Sequence, residues 1–143
     1  VKGRTKQGRK EINAYAAKLM QKLGISEIAD NDVNEVSGGQ LQRACICRSL
    51  INHPRILFAD EPTGALNKQS SHEVMEELNR IHKEGTSILL VTHDMKVASR
   101  CDRVLYIEDG NIRDEMQLGA WEDCTDIRKR ERRLNEWLIT LGW

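Results

Sequence analysis

The chain has 143 residues, of which 31% are charged and 39% hydrophobic, with 22 basic residues against 22 acidic ones. That balance excludes a disordered chain and a polyelectrolyte that would hold nucleic acid by bulk charge. No apolar run approaches the ~20 residues that span a bilayer, and no apolar segment of signal-peptide length follows the basic start.

In chain order, Glu11 to Leu23 has helical spacing, with Ile12, Tyr15, Ala16, Leu19, Met20 and Leu23 on one side and Gly24 as the stop. A polar connector from Ser26 to Glu35 leads to Val36-Ser37-Gly38-Gly39-Gln40, and a helix is predicted from Gln40 to about Asn52, ended by Pro54. Arg55 to Ala59 reads as a strand buried on both faces, with Asp60 and Glu61 at its carboxyl end. A helix over Lys68 to Lys83 follows, with Val74, Leu78 and Ile81 inward and Met75 and His82 beside them; Gly85 closes it. Thr86 to Thr92 is a second buried strand ending at His93-Asp94, and a short helix runs on through Ser99. Val104–Ile107 and Ile112–Leu118, joined through Asp109-Gly110-Asn111, read as a hairpin. Thr125 to Leu141 is an amphipathic helix with Ile127, Leu134, Trp137, Leu138 and Leu141 inward. Two apolar strands separated by a helix imply a parallel α/β sheet with a right-handed crossover.

The basic clusters at Lys2, Arg4, Lys6, Arg9 and Lys10 and at Arg128 to Arg133 read as solvated faces. Cys45, Cys47, Cys101 and Cys124 have neither a CxxC pair nor zinc spacing and read as reduced thiols of a cytosolic protein. His53, His72 and His82 read as surface or packing residues.

Ligands of open parallel sheets sit beyond the carboxyl ends of the strands. One strand end here carries adjacent carboxylates, Asp60 and Glu61, and the next carries His93. Two such carboxylates suit magnesium-dependent phosphoryl transfer, one supporting the cation and the other polarising water. An imidazole at the neighbouring strand end can donate a hydrogen bond to a terminal phosphate. Ser37-Gly38-Gly39-Gln40 opens a helix. The glycines and the helix N-terminus make it a phosphate-binding device; Ser-x-x-Gln is equally a capping box.

Ser-Gly-Gly-Gln, an apolar run with Asp-Glu-Pro-Thr, and an apolar run with His-Asp occur here in that order. They resemble the motifs of the ABC ATPases over about Glu11 to Leu118: Val36 to Gln40 the signature sequence, Ile56 to Glu61 the Walker B strand, Gly64-Ala65-Leu66-Asn67 the D-loop, and His93 the switch histidine. The resemblance implies part of a RecA-like P-loop core with a parallel sheet, part of the helical subdomain, and a C-terminal hairpin and helix. The implied divisions are residues 1–53, 54–118 and 119–143. It also implies ATP hydrolysis with Mg2+: Asp60 supporting the metal, Glu61 as general base, and His93 on the γ-phosphate. Ser37, Gly38 and Gly39 would bind the γ-phosphate of ATP held by the opposite subunit of a head-to-tail homodimer, with Gln40 near that nucleotide and Asn67 in the D-loop. An integral-membrane permease would be the other partner, at the cytoplasmic face of a bacterial membrane, with no nucleic acid.

No G-x-x-x-x-G-K-[ST] occurs in the chain. Gly3 to Lys10 has the glycine spacing, but Arg9 and Lys10 stand where the lysine and the hydroxyl belong, and no strand precedes it. The missing loop and the start at Val1 suggest a fragment, inactive alone and prone to self-association through an uncovered sheet edge. Asn67 stands where the family usually has aspartate, and can cap the helix that starts at Lys68. A soluble ABC ATPase acting on DNA or ribosomes is the alternative, as is a non-catalytic interaction domain. The first lacks support from any long heptad region, and Gly64-Ala65 stands where ribosome-associated relatives have Asn-His; the second leaves Glu61 and His93 without a purpose. Ala59 to Asn67 resembles the group exporting lipoproteins, macrolides or antimicrobial peptides, and Arg128 to Trp143 resembles the bacitracin and lantibiotic resistance branch.

Overall fold

The computed structural model describes residues 6–122 and 126–143, and side chains from Gly8 onward. It forms two units, residues 1–90 and 91–143.

The first unit opens with α1, Lys6–Lys22, which begins more than a turn earlier than the start at Glu11 that its apolar spacing predicts. Leu19 and Leu23 are buried, and the helix stops at Gly24, whose φ of 62° lets Ile25 N–H reach back to Met20 O at 2.9 Å. The polar connector contains two 3-10 turns, Ser26–Ile28 and Val33–Glu35, the second started by an Asp32/Glu35 capping box. Helix α2, Gly38–Leu50, packs on α1 and on α3, Lys68–Lys83. The α3 stripe is Val74, Met75, Leu78 and Ile81, all buried, whereas His82 is exposed.

Strands β1, Ile56–Asp60, and β2, Ser87–Val91, pair in a parallel sheet, with α3 as the crossover between them. They are not buried on both faces, as their apolar runs predict. Leu57 is buried, yet Ile56 is 46% exposed, Phe58 71% and Leu89 46%. A strand reads as two-faced when its alternate positions are all apolar, but burying both faces takes a layer of structure on each. Among the described residues of this unit, nothing covers the side that carries Phe58.

In the second unit, the short helix α4, Met95–Ala98, is followed by strands β3, Arg103–Glu108, and β4, Asn111–Gln117, in an antiparallel hairpin. Its turn residues Asp109 and Gly110 have φ of 50° and 75°, the paired left-handed conformation of a two-residue hairpin turn. Helix α5, Ile127–Thr140, is capped by Asp126, whose carboxylate accepts from Arg128 N and Lys129 N. The predicted start of this helix at Thr125, like Cys124, lies outside the described residues. Leu134 and Leu138 are buried as expected, and Trp137 sits edge-on to Tyr106 while its indole N–H donates to Asp114 at 2.9 Å.

Candidate functional site

Both readings of the Ser37–Gln40 turn rest on the same atoms, and the structure displays the cap. Ser37 is the N-cap of α2: its Oγ accepts from Gln40 N at 3.3 Å, and Ser37 N donates to Gln40 Oε1 at 2.9 Å. The Gln40 side-chain amide also donates to Glu27 at 3.2 Å, so both of its ends are engaged. Ser37 and Gly38 are exposed, as an anion-binding turn requires, while Gly39 is buried. A Cβ on Gly39 would lie 2.8 Å from Ser70 Oγ and 2.9 Å from Ser70 Cβ; one on Gly38 would lie 3.2 Å from Leu66 Cδ2. The glycine pair therefore seats the start of α2 against the start of α3, a role in close backbone approach that the phosphate argument does not contain.

At the carboxyl end of β1, Asp60 is exposed and Glu61 half-buried. Glu61 has φ of 42°, left-handed backbone on a residue with no intrinsic liking for it. Its carbonyl accepts Gly64 N–H at 3.1 Å, closing a turn in which Pro62 and Thr63 are buried beneath. A Cβ on Gly64 would lie 3.8 Å from a Glu61 carboxylate oxygen, so the chain passes close over that side chain. Asn67 then caps α3, its Oδ1 accepting Ser70 N–H at 2.8 Å, as its position before Lys68 predicts. Segment 66–70 thus touches the Ser37–Gly39 turn and leads directly from the Asp60-Glu61 turn.

Among the described residues no three His, Cys, Asp or Glu side chains gather into a metal cage. Asp60 and Glu61 are two adjacent carboxylates at an open strand end. That donor set fits magnesium shared with phosphate oxygens and water, the usual mode for this ion, rather than an all-protein site.

His93 belongs to the second unit and is exposed, between β2 and α4. The next residue, Asp94, caps α4 by accepting Lys96 N–H at 2.8 Å and is itself held by Thr92 Oγ1 at 3.0 Å. The imidazole is therefore carried on a short backbone segment with a defined conformation.

Two polar clusters escaped the sequence reading. Arg43 on α2 pairs with Glu73 on α3, and Arg80 donates to Glu77, whose carboxyl is pushed above the usual glutamate range by burial. Glu77 follows Val74 by three residues and precedes Leu78, so helical spacing alone places it on the inward face. Arg130 on α5 is only 6% exposed although it lies in a run read as a solvated basic face. It occupies the same i, i+3/i+4 series as Ile127, Leu134, Leu138 and Leu141, and that register is the signal that could have found it.

The ABC transporter family matches residues 2–64 of this chain. The macrolide export ATP-binding/permease protein MacB of Neisseria meningitidis serogroup B is 48% identical over 105 residues, 73% of this chain and 16% of that protein. The MacB of Bartonella henselae is 47% identical over 97 residues, 68% of this chain and 15% of that protein. A dimeric ATP-binding cassette solved in a post-hydrolysis state with ADP and Pi superposes with a TM-score of 0.65 at 32% identity, over 85% of this chain and 52% of that one. An ADP-state cassette of an ABC transporter, 21% identical, shares the fold with a TM-score of 0.74 over 93% of this chain and 51% of that one. The chain thus spans about one sixth of the curated relatives and half of the solved cassettes. On the motifs, the fold and these likenesses, the chain belongs to the ABC transporter ATP-binding family.

Proposed function

We propose that this chain is the signature and Walker B portion of the ATP-hydrolysing subunit of a bacterial exporter in the macrolide-type group. The observation that carries the hydrolytic part is the left-handed backbone of Glu61 at the carboxyl end of β1. Strain of this kind, on the order of 1–3 kcal/mol, persists where the surrounding structure holds a side chain for a task.

Glu61 accepts the proton of the attacking water, and Asp60 supports the cation. Magnesium, when bound, neutralises the phosphate oxygens. His93 donates a hydrogen bond to the terminal phosphate. Ser37, Gly38 and Gly39 turn the N-terminus of α2 toward nucleotide on the opposite subunit of a head-to-tail dimer, and Gln40 holds that turn in shape. Asn67 fixes the start of α3 beside the same turn. The membrane partner is a permease, which puts the subunit at the cytoplasmic face; among the described residues no helix is long and apolar enough to cross a membrane. The motif Ala59 to Asn67 and the names of the relatives support the exporter reading, and the tail from Arg128 to Trp143 favours peptide antibiotics within it.

The phosphate-binding loop and the cover for the Phe58 face come, in this reading, from the rest of a cassette, since the solved cassettes are about twice as long as the matched region. The test joins this chain to the P-loop portion of such a cassette and measures ATP turnover. Glu61→Gln should lower turnover by 10²–10⁴ while nucleotide still binds. Undiminished turnover in that variant would remove Glu61 as the base.

A further inference from the structure

The guanidinium of Arg130 is surrounded by main-chain carbonyls from two separate stretches of the second unit. From one side, its Nε donates to Ser99 O at 2.7 Å and its Nη2 to Cys101 O at 2.6 Å. From the other, Nη1 donates to Leu118 O, Gly119 O and Ala120 O at 3.1–3.3 Å, and Nη2 shares Gly119 O at 3.1 Å. Trp121 lies over the group, its ring centre 5.5 Å from Cζ, and the Asp102 carboxylate accepts Trp121 N–H at 3.1 Å. A buried cation is expensive unless its donors are used, and here every nitrogen of the fork has an acceptor.

What that fork holds is the end of α4. A helix of four residues has too few internal bonds to be stable by itself. Its last carbonyls also need partners from outside. Val97 and Ser99 are buried, Ser99 N–H returns to Met95 O at 2.9 Å, and Cys101 N–H returns to Ala98 O at 3.0 Å. Arg130 takes the two carbonyls that follow this turn, and the same short helix is started at its other end by Asp94, the residue after His93.

We propose that Arg130 is a positioning residue for His93: rooted in α5, it anchors the C-terminal end of α4 and so fixes the backbone that carries the imidazole. Its importance for turnover rests on the role given to His93 above; the anchoring itself does not. Only arginine does this, because lysine offers a single point of donation where two stretches of carbonyls must be gathered in a plane.

The experiment uses the whole 143-residue chain, with amide exchange and the His93 ring resonances followed by NMR. In Arg130→Lys, protection of the Ser99, Arg100 and Cys101 amides should fall at least tenfold and the His93 ring signals should move, while α3 amides keep their rates. Leu134→Ala, which opens a cavity on the same helix but leaves the fork intact, should leave the His93 signals of the folded chain in place. Unchanged protection and unchanged His93 signals in Arg130→Lys overturn the proposal. If that variant does not fold, exchange in urea on the unaltered chain decides. The Ser99–Cys101 amides should then open together with those of α5, and independent opening at lower urea overturns the anchor. Separately, full turnover of His93→Ala in the joined cassette would sink the role of His93 without touching these exchange results.

Discussion

A side chain at Gly39 would start 2.8 Å from the hydroxyl oxygen of Ser70, so the second glycine of the signature turn is where α2 and α3 meet. Real Cβ atoms do not approach so closely, and both partners lie at helix starts that cannot shift independently. Gly39→Ala should therefore lower stability by about 1–3 kcal/mol, the usual cost of overpacking. Because Ser70 Cβ is also only 2.9 Å away, Ser70→Ala gives no relief, whereas Ser70→Gly recovers part of the loss. A double-mutant cycle on urea midpoints measures this, and additive effects of Gly39→Ala and Ser70→Gly would contradict the contact.

Glu61 pays a conformational cost for its place at the end of β1. Left-handed backbone is unfavourable by about 1–2 kcal/mol for a residue with a Cβ and free for glycine. Glu61→Gly and Glu61→Ala both remove the carboxylate, and only the alanine keeps the Cβ, so the glycine variant is expected to be about 1 kcal/mol more stable than the alanine variant. Equal stabilities for the alanine and glycine variants would mean that the strain is not there.

The open face of the β1–β2 sheet should make the chain self-associate. Phe58 is its most exposed large residue, and burying such a ring is worth about 1.5–3 kcal/mol. Sedimentation velocity over a concentration series should show association that Phe58→Lys weakens by roughly tenfold or more. The same variant should cost little stability, since the ring is already in water. A wild-type chain that stays monomeric at high concentration argues against an exposed sticky face.

Burial holds the folded pKa of Glu77 above its unfolded value. A group shifted that way contributes fully below the ordinary glutamate range, and the contribution is lost as pH rises through the folded value. Arg80, which donates to the carboxylate, offsets the burial only in part. Urea midpoints of wild type and Glu77→Gln should thus diverge in favour of the variant between pH 4 and neutrality. A gap that closes over that range would reverse the sign of the shift.

Much of the local structure, including the caps around the candidate site, is legible in the sequence because its signals are local. The Ser37–Gln40 box, the Asn67 cap, the Gly24 stop and the Asp109-Gly110 turn each depend on residues within five positions of one another, and each formed as its chemistry dictates. Apolar spacing located α3 and α5 for the same reason: a helix reports its own buried stripe. The strands misled because a run such as Ile56-Leu57-Phe58 states which positions are apolar and not which of them are covered.

Arg130 and Gly39 mark the other side of that boundary. Helical register sets Arg130 apart from Arg128 and Arg132, on the apolar face of α5, but only the arrival of carbonyls from Ser99, Cys101 and Gly119 makes it a buried hub. Gly39 reads in the sequence as a glycine kept bare for an anion; that α3 also rests against it is decided by the fold. Caps, turns and helix periods are written in neighbouring residues, because their bonds close over a few positions. Burial of a charge, contact between helix ends and the covering of a sheet face arise from segments tens of residues apart, and only folding brings those together.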